Sequence, residues 1–317
     1  MSGQVSVLPS APLRLAAVQA EAVSGDVPGN ARRAAEWAAR AAERGAAVVV
    51  FPELHLCGYD LSALAAGGTG WVPAGAGGRV ADPRLDPLAE AAAEHAVTVL
   101  AGAAVRRGDG LSTNSVLCFR PSGPVTVAYD KQHLWQAEER GLFSPGSGTT
   151  VLAVGEWHLG LGICYDASFP EHGRAAALAG AHAYLCSGAF AAGSEYRAAI
   201  YLAARALENT VYAVFANPVG GPPYRPCGGG TAVYGPRGGE VCRVDTAREA
   251  LLLADLDPRE IEEARALLPL WRPCRAHPAV SHTVLPRSSC RAPPYRCGTE
   301  RARCPPDIAW EAWAVMR

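Results

Sequence analysis

The chain has 317 residues, of which 49% are hydrophobic and 19% are charged, so it can bury a large core and is not a disordered polypeptide. Its 29 basic and 30 acidic side chains give a formal net charge of −1, which excludes a strong overall field for nucleic acid or an anionic membrane. No apolar run approaches the roughly 18 residues of a membrane span, and residues 1–12 lack the basic and apolar segments of a secretory signal. We therefore expect a soluble cytoplasmic protein with a flexible N-terminus.

Strand-like and helix-like patterns alternate from residue 13 to about residue 272, which predicts one α/β layered domain. Asn30 is expected to cap the first helix and Gly45 to end it. The predicted strands are 13–19, 46–51, 97–101, 114–120, 125–129, 157–163, 183–187, 211–216, 230–234 and 251–255. The predicted helices are 30–44, 87–95, 170–179, 194–209 and 258–267.

Residues 273–317 differ in composition, with seven Pro, seven Arg, four of the ten cysteines and only three acidic groups. No periodic apolar face runs through this segment, so we expect a poorly ordered C-terminal tail. Its cysteines lack the paired C-x₂-C spacing of a compact zinc site. We expect the cysteines of the whole chain to be reduced thiols, and no metal to be bound.

Cys164 lies at the end of the apolar strand 157–163, just before a helix that opens near Pro170. A residue in such a turn is presented at the edge of a sheet. Backbone N–H groups and the helix dipole there favour a thiolate and can hold an oxyanion. An ordinary buried cysteine is the structural alternative.

Two other reactive side chains also follow strands. Glu53 comes directly after the buried strand 46–51, where a partly desolvated carboxylate can act as a general base. Lys131 follows strand 125–129 and is the only lysine of the chain, beside 28 arginines. Each residue alone also fits a structural role. Together, a base, a cation and a thiol at three strand ends predict covalent catalysis.

The motifs around these residues resemble those of the nitrilase, or carbon–nitrogen hydrolase, superfamily. The chain has Phe51-Pro-Glu53, Lys131-Gln-His-Leu134 and the long segment Gly160-Leu-Gly-Ile-Cys-Tyr-Asp-Ala-Ser-Phe-Pro-Glu171 in the order of that family. Phe143-Ser-Pro-Gly146 resembles the turn that follows the family's second glutamate. This turn points to Glu139, with the adjacent Glu138 as the alternative. The resemblance covers residues 13–272.

The resemblance implies a four-layer αββα sandwich and a homodimer or larger homo-oligomer. It implies that Glu53 accepts the thiol proton of Cys164 and that Lys131, with the backbone N–H after Cys164, holds the oxyanion. Glu139 would orient Lys131 or the substrate amine, and no cofactor or metal is needed. The candidates for the walls of the substrate pocket are aromatic: Trp135, Tyr165, Phe190 and Tyr196.

Hydrolysis of a small-molecule amide to an acid and ammonia is the expected reaction, through an acyl group on Cys164. Hydrolysis of N-carbamoyl amines or nitriles by the same triad remains open. A non-catalytic binding or regulatory protein on this scaffold is the alternative outside the enzymes. The presence of all three triad residues disfavours it. A Cys–His protease is disfavoured by Glu53 and Lys131, and the family positions of His133 and His172 are usually structural.

Overall fold

A computed structural model describes residues 7–270 of the chain. The expectations for residues 273–317 lie outside the described residues. The strands, numbered in chain order, are β1 Leu13–Gln19, β2 Val48–Val50, β3 Trp71–Ala74, β4 Arg79–Val80, β5 Thr98–Arg107, β6 Ser112–Phe119, β7 Val125–Asp130, β8 Val151–Val154, β9 Trp157–Ile163, β10 Ala183–Ser187, β11 Tyr212–Ala216, β12 Val219–Gly220, β13 Cys227–Gly228, β14 Ala232–Tyr234, β15 Glu240–Arg243 and β16 Ala250–Leu256.

The helices are α1 Val27–Ala42, α2 Leu61–Ala65, α3 Asp86–Glu94, α4 Gln136–Leu142, α5 Pro170–Leu178, α6 Glu195–Asn209 and α7 Pro258–Leu267. Three short 3₁₀ turns accompany them, at Ala76–Gly78, Pro83–Leu85 and Cys164–Ser168. Within residues 7–270, none of these helices has the length and apolar character needed to cross a membrane.

The strands form two large sheets. The first has eight strands in the order β16-β1-β2-β5-β3-β4-β7-β6, with β1, β2 and β5 parallel to one another. The second has six strands in the order β15-β14-β11-β10-β9-β8, and its central strands β9, β10 and β11 are parallel. A separate short ribbon pairs β12 with β13.

Alternate side chains of β1 enter two different cores. Leu13, Leu15 and Ala17 pack in the core that holds the side chains of the second sheet. Ala16 and Val18 point the other way, into a core that contains the buried stripe of α1. Residues of α5 and α6 pack with the second sheet in turn. The layers are therefore helices, sheet, sheet and helices, and the predicted αββα sandwich is confirmed.

The start of α1 differs from the prediction. Asp26 caps the helix by accepting the N–H of Gly29 at 3.0 Å, and Asn30 lies inside the first turn. The Asn30 side chain is buried and bonds the backbone of Val23 and Leu56 instead. A proline follows Asp26 within two residues, and proline favours the first helical positions, which explains the earlier start.

Candidate active site

The three reactive side chains come from both sheets. Glu53 follows β2 and Lys131 follows β7, so the first sheet supplies the acid and the cation. Cys164 follows β9 and is supplied by the second sheet. The structure brings the three residues together where the carboxyl ends of these strands meet, as the sequence predicted.

A tight turn holds Glu53 against the neighbouring strand. Leu54 adopts a left-handed φ of 51° there. Gly102 of β5 passes so close that a Cβ atom on it would lie 2.3 Å from the Leu54 nitrogen and 2.6 Å from the Pro52 oxygen. Only glycine fits at that position. The Glu53 N–H also donates to the Gly188 carbonyl at 3.0 Å, which links the turn to the loop after β10.

Lys131 lies between two carboxylates. Its Nζ is 2.6 Å from Oε1 of Glu53, and 2.9 and 2.8 Å from Oε1 and Oε2 of Glu139. The side chains of all three residues are inaccessible to solvent. An ammonium has three N–H donors, so these contacts engage all of them.

The two glutamates have different environments. Glu139 also accepts hydrogen bonds from the Tyr59 hydroxyl at 2.6 Å and the Trp135 N–H at 2.7 Å, so both its oxygens are well paired. Glu138 is exposed, so Glu139 is the glutamate that joins the site. On Glu53, Oε1 accepts from Asn114 at 2.8 Å as well as from Lys131. Its buried Oε2 has no hydrogen-bond donor at ordinary distance within residues 7–270.

These surroundings change the acidity of the buried groups. Burial raises the pKa of Glu53 above its ordinary value, although the neighbouring Lys131 acts in the opposite direction. Burial alone would lower the pKa of Lys131, but Glu53, Cys164 and Glu139 together outweigh this effect and the pKa is raised. Lys131 therefore stays charged. Glu53, with its raised pKa, is a stronger base than an ordinary glutamate carboxylate.

Cys164 opens the 3₁₀ turn after β9 with a left-handed φ of 46°, a strained value for a residue with a side chain. Burial raises the pKa of its thiol well above the ordinary value, and Glu53 acts in the same direction. The expectation that the turn favours a thiolate is therefore wrong for the resting enzyme. The Cys164 thiol also lies near Glu53, and its interaction with that carboxyl lowers the pKa of Glu53.

A buried hydrogen-bond network connects the Cys164 turn to the Lys131 segment. Asp166 accepts the N–H groups of Ile163 at 3.0 Å and His133 at 2.9 Å, and the Tyr129 hydroxyl at 2.7 Å. The His172 ring lies between the hydroxyls of Tyr129 and Tyr184, at 2.8 and 2.9 Å. His133 and His172 thus help to join the two sheets, in agreement with the structural role that the sequence favoured.

The pocket that reaches Cys164 contains three of the predicted aromatic residues, Trp135, Tyr165 and Phe190. The fourth, Tyr196, is 64% exposed and does not line the pocket. Two arginines that the sequence reasoning missed, Arg197 and Arg225, line it instead. Among residues 7–270, no group of three or more His, Cys, Asp or Glu is arranged to hold a metal ion.

The sequence pattern of the carbon–nitrogen hydrolase family matches residues 14–266. The chain therefore belongs to the carbon–nitrogen hydrolase family and is an enzyme of that class. A hydrolase of Pseudomonas protegens, encoded in the pqqF 5' region, is 31% identical over 256 residues, which is 80% of this chain and 86% of the relative. An omega-amidase of Homo sapiens is 26% identical over 273 residues, which is 83% of this chain and 95% of the relative.

Solved structures of the amidase from Nesterenkonia sp. AN1 have the same fold. One variant in complex with butyramide is 29% identical, with a TM-score of 0.69 over 83% of this chain and 98% of the amidase. Another variant carries acrylamide added to its active-site cysteine, and matches with 29% identity and a TM-score of 0.68 over 81% of this chain and 98% of the amidase. The resemblance to the amidase side of the nitrilase superfamily is confirmed.

Proposed function

We propose that the chain hydrolyses a small-molecule amide to a carboxylic acid and ammonia through an acyl group on Cys164. The observation that carries the proposal is Oε2 of Glu53, which is buried near Cys164 and has no hydrogen-bond donor at ordinary distance within residues 7–270. Burial raises the pKa of the Cys164 thiol, which favours its protonated form. A carboxylate with a raised pKa and a free oxygen is equipped to accept that proton. The amidase from Nesterenkonia, with its butyramide complex, supports an amide substrate.

In the first half of the reaction, the Cys164 sulfur attacks the amide carbon while its proton passes to Glu53. Because the thiolate is unfavourable in this buried site, we expect proton transfer to accompany attack rather than precede it. Collapse of the tetrahedral intermediate breaks the C–N bond, and Glu53 returns the proton to the departing nitrogen as ammonia leaves. A thioester on Cys164 remains.

In the second half, Glu53 accepts a proton from a water molecule whose oxygen attacks the thioester carbon. The C–S bond then breaks, the acid is released, and the proton on Glu53 restores the Cys164 thiol. The buried Glu53 carboxylate thus cycles twice between its two protonation states, which a carboxyl with an ordinary, lower pKa does less readily near neutral pH.

Lys131 stabilises the oxyanion in both halves. In the resting site its ammonium donates to Glu53 and Glu139. As Glu53 takes up a proton, its attraction for the ammonium weakens, and one N–H of Lys131 becomes available to the developing oxyanion. Glu139, held by Tyr59 and Trp135, keeps the ammonium in position during that change.

Release of ammonia from a matched panel of amides, N-carbamoyl amines and nitriles tests this proposal. We expect turnover of amides, with the Cys164→Ala variant as the blank. Preferential turnover of carbamoyl amines or nitriles would replace the substrate class and keep the triad. No turnover of any C–N compound by the wild type would favour a binding protein on this scaffold.

We propose further that the enzyme acts as a homo-oligomer, in the cytoplasm. Tyr196, Ile200 and Leu207 leave large apolar surfaces exposed on α6, at 64%, 62% and 42%, and such a patch favours contact with a second protein surface. The six cysteines that the structure describes are free thiols, which suits a reducing compartment. Light scattering should give a multiple of the chain mass that falls in Ile200→Glu. A wild-type monomer at micromolar concentration would contradict the assembly.

A further inference from the structure

The base and the nucleophile line two different cavities. Among residues 7–270, ten line the front pocket at Cys164, and Glu53 is not one of them. A second cavity is lined by Glu53, His55, Tyr59 and the loop 218–222, among others, and within the described part of the chain no residue lines both spaces. Glu53 therefore has a cavity of its own, separate from the pocket that reaches the nucleophile.

The second cavity contains a buried histidine that the proposed reaction does not use. His55 is 2% exposed, and its ring packs on Phe51 with 4.9 Å between the ring centroids. Both ring nitrogens are buried and have no hydrogen-bond partner within residues 7–270. Burial, helped by the charge of Arg33, lowers the pKa of His55 to about 3, so the ring is neutral and offers one donor and one acceptor. Two unpaired nitrogens cost free energy unless a small ligand supplies their partners.

Glu53 supplies a further unpaired polar atom at this cavity. Its Oε1 already accepts from Lys131 at 2.6 Å and from Asn114 at 2.8 Å, whereas its buried Oε2 has no donor at ordinary distance within residues 7–270. The cavity leaves about 20 Å³ for the centre of a water molecule, and one water needs roughly 10–15 Å³. A water molecule therefore matches both the volume of the cavity and its unpaired groups.

The hydrolytic half of the proposed reaction needs water at Glu53 while an acyl group is still bound. The front pocket leaves only about 30 Å³ for the centre of a water molecule, so an acyl group on Cys164 fills it. The lining of the second cavity runs from the buried Glu53 and His55 to the half-buried Ala22 and the exposed Gly221. Water can therefore reach the base through this cavity without passing the acyl group.

We propose that the second cavity delivers the water that hydrolyses the thioester, and that His55 positions this water for Glu53. The inference rests on the proposed function. One proton of the water passes to Glu53 as the water oxygen attacks the thioester carbon and the C–S bond breaks. His55 hydrogen-bonds the water and exchanges no proton. It is thus a positioning residue that acts on the decay of the thioester and not on its formation.

His55→Phe tests the proposal, because phenylalanine keeps the aromatic contact with Phe51 and removes both nitrogens. With butyramide, the first ammonia per active site should be released at the wild-type rate. The thioester on Cys164, followed by mass spectrometry after rapid removal of butyramide, should decay about 10- to 100-fold more slowly, since a small misplacement of a reacting group can cost this much. His55→Gln should recover part of the rate, because it keeps a donor and an acceptor.

A second variant and a control accompany this test. Ala22→Phe narrows the outer part of the cavity and leaves Glu53 and His55 in place, so it should also slow the decay of the thioester. His182→Phe is the matched control, because His182 is likewise buried and, within residues 7–270, belongs to the lining of neither cavity. It should leave the decay unchanged.

Two kinetic results would overturn the proposal and keep the amidase function. The first is decay of the thioester at the wild-type rate in His55→Phe. The second is an equal loss in the formation and the decay of the thioester, because His55 would then support the site as a whole and not the water.

A crystal structure of the wild type separates the inference from the proposed function. An ordered water molecule that hydrogen-bonds His55 in the second cavity supports the water site even if the wild type hydrolyses no amide, a result that would instead refute the amidase function. A second cavity without such a water molecule overturns the water site, whatever the turnover of amides.

Discussion

The two sheets contribute different parts of the site. The eight-stranded sheet carries Glu53 and Lys131, which are joined directly by a 2.6 Å ion pair inside its own layer. The six-stranded sheet carries Cys164 on a strained turn. The acid and the cation are thus fixed to each other by one sheet, whereas the distance from base to nucleophile depends on how the two sheets pack.

Specific polar contacts set that packing. The Glu53 N–H donates to Gly188, which follows β10 of the second sheet. The Tyr129 hydroxyl, at the end of β7, donates to Asp166 in the Cys164 turn. Changes within the first sheet should therefore alter the chemistry of the base, Glu53. Changes at the contacts between the two sheets should instead alter the alignment of Glu53 with the Cys164 thiol.

Removing the nucleophile should have the largest effect. Cys164→Ala is expected to lower turnover about 10⁴-fold or more without unfolding the protein, since alanine is similarly small. Ammonia release and circular dichroism measure the two quantities. Cys186→Ala is the matched control, because this buried thiol lies 4.0 Å from the Cys164 carbonyl oxygen but takes no part in the proposed reaction. Near wild-type turnover in Cys164→Ala would disprove the assignment.

Neutralising the base should have the second-largest effect. Glu53→Gln keeps the shape of the side chain but cannot accept a proton, so we expect a loss of about 10²–10⁴ in kcat. In the wild type, kcat/KM should fall as the pH drops through the pKa of Glu53. Because burial raises this pKa, the acid limb should lie above the ordinary range of a glutamate. A pH–rate profile that stays flat down to the ordinary glutamate pKa would contradict this role of Glu53.

Replacing the cation inside the first sheet should cost slightly less. Lys131→Arg keeps the charge, but the planar guanidinium has five N–H donors in a closed space where two carboxylates already engage the three donors of lysine. We expect turnover to fall about 10²–10³, the loss typical of one oxyanion donor. Turnover above a tenth of the wild type would assign the oxyanion to backbone groups.

Loosening the contact between the sheets should have a smaller effect of a different kind. Tyr129→Phe removes the hydroxyl that bonds Asp166 and His172, and we expect a loss of about 1–3 kcal/mol in the free energy of unfolding together with lower kcat. Tyr212→Phe is the control, because its hydroxyl bonds the Asp257 backbone and not the Cys164 turn. It should lose stability and keep kcat. The same kcat in both variants would remove Tyr129 from the alignment of the site.

Removal of residues 273–317 should have the smallest effect. Within residues 7–270 the last strand, β16, ends at Leu256, and the family match ends at residue 266. We therefore expect unchanged turnover per active site in a chain that ends at Arg272. A large loss on truncation, measured by active-site titration, would show that the tail takes part in the domain.

Local sequence patterns predicted the scaffold well. The continuous apolar runs gave β1, β9 and β10 their observed bounds, because each is buried along its whole length or nearly so. Helix α4 was missed. It has seven residues, begins at Gln136 with a left-handed φ of 51°, and buries only Glu139, so it shows no apolar period.

Local sequence patterns also predicted part of the site. Glu53, Lys131 and Cys164 each follow a strand, and a strand's end is visible in the sequence. Arg225 lies in the loop between β12 and β13, which reaches the pocket only through tertiary contacts such as its bond to Ala189. The raised pKa of the Cys164 thiol likewise arises from burial and from Glu53, both of which depend on the packing of the two sheets.

The central claim is that Glu53 removes the thiol proton as Cys164 attacks, and the most direct test is mass spectrometry of the enzyme quenched during turnover of an amide. The account predicts that the acyl group is found on the peptide that contains Cys164 in the wild type. In Glu53→Gln the adduct should form slowly or not at all. An acyl group on another residue, or equally fast acylation of Cys164 in Glu53→Gln, would contradict it.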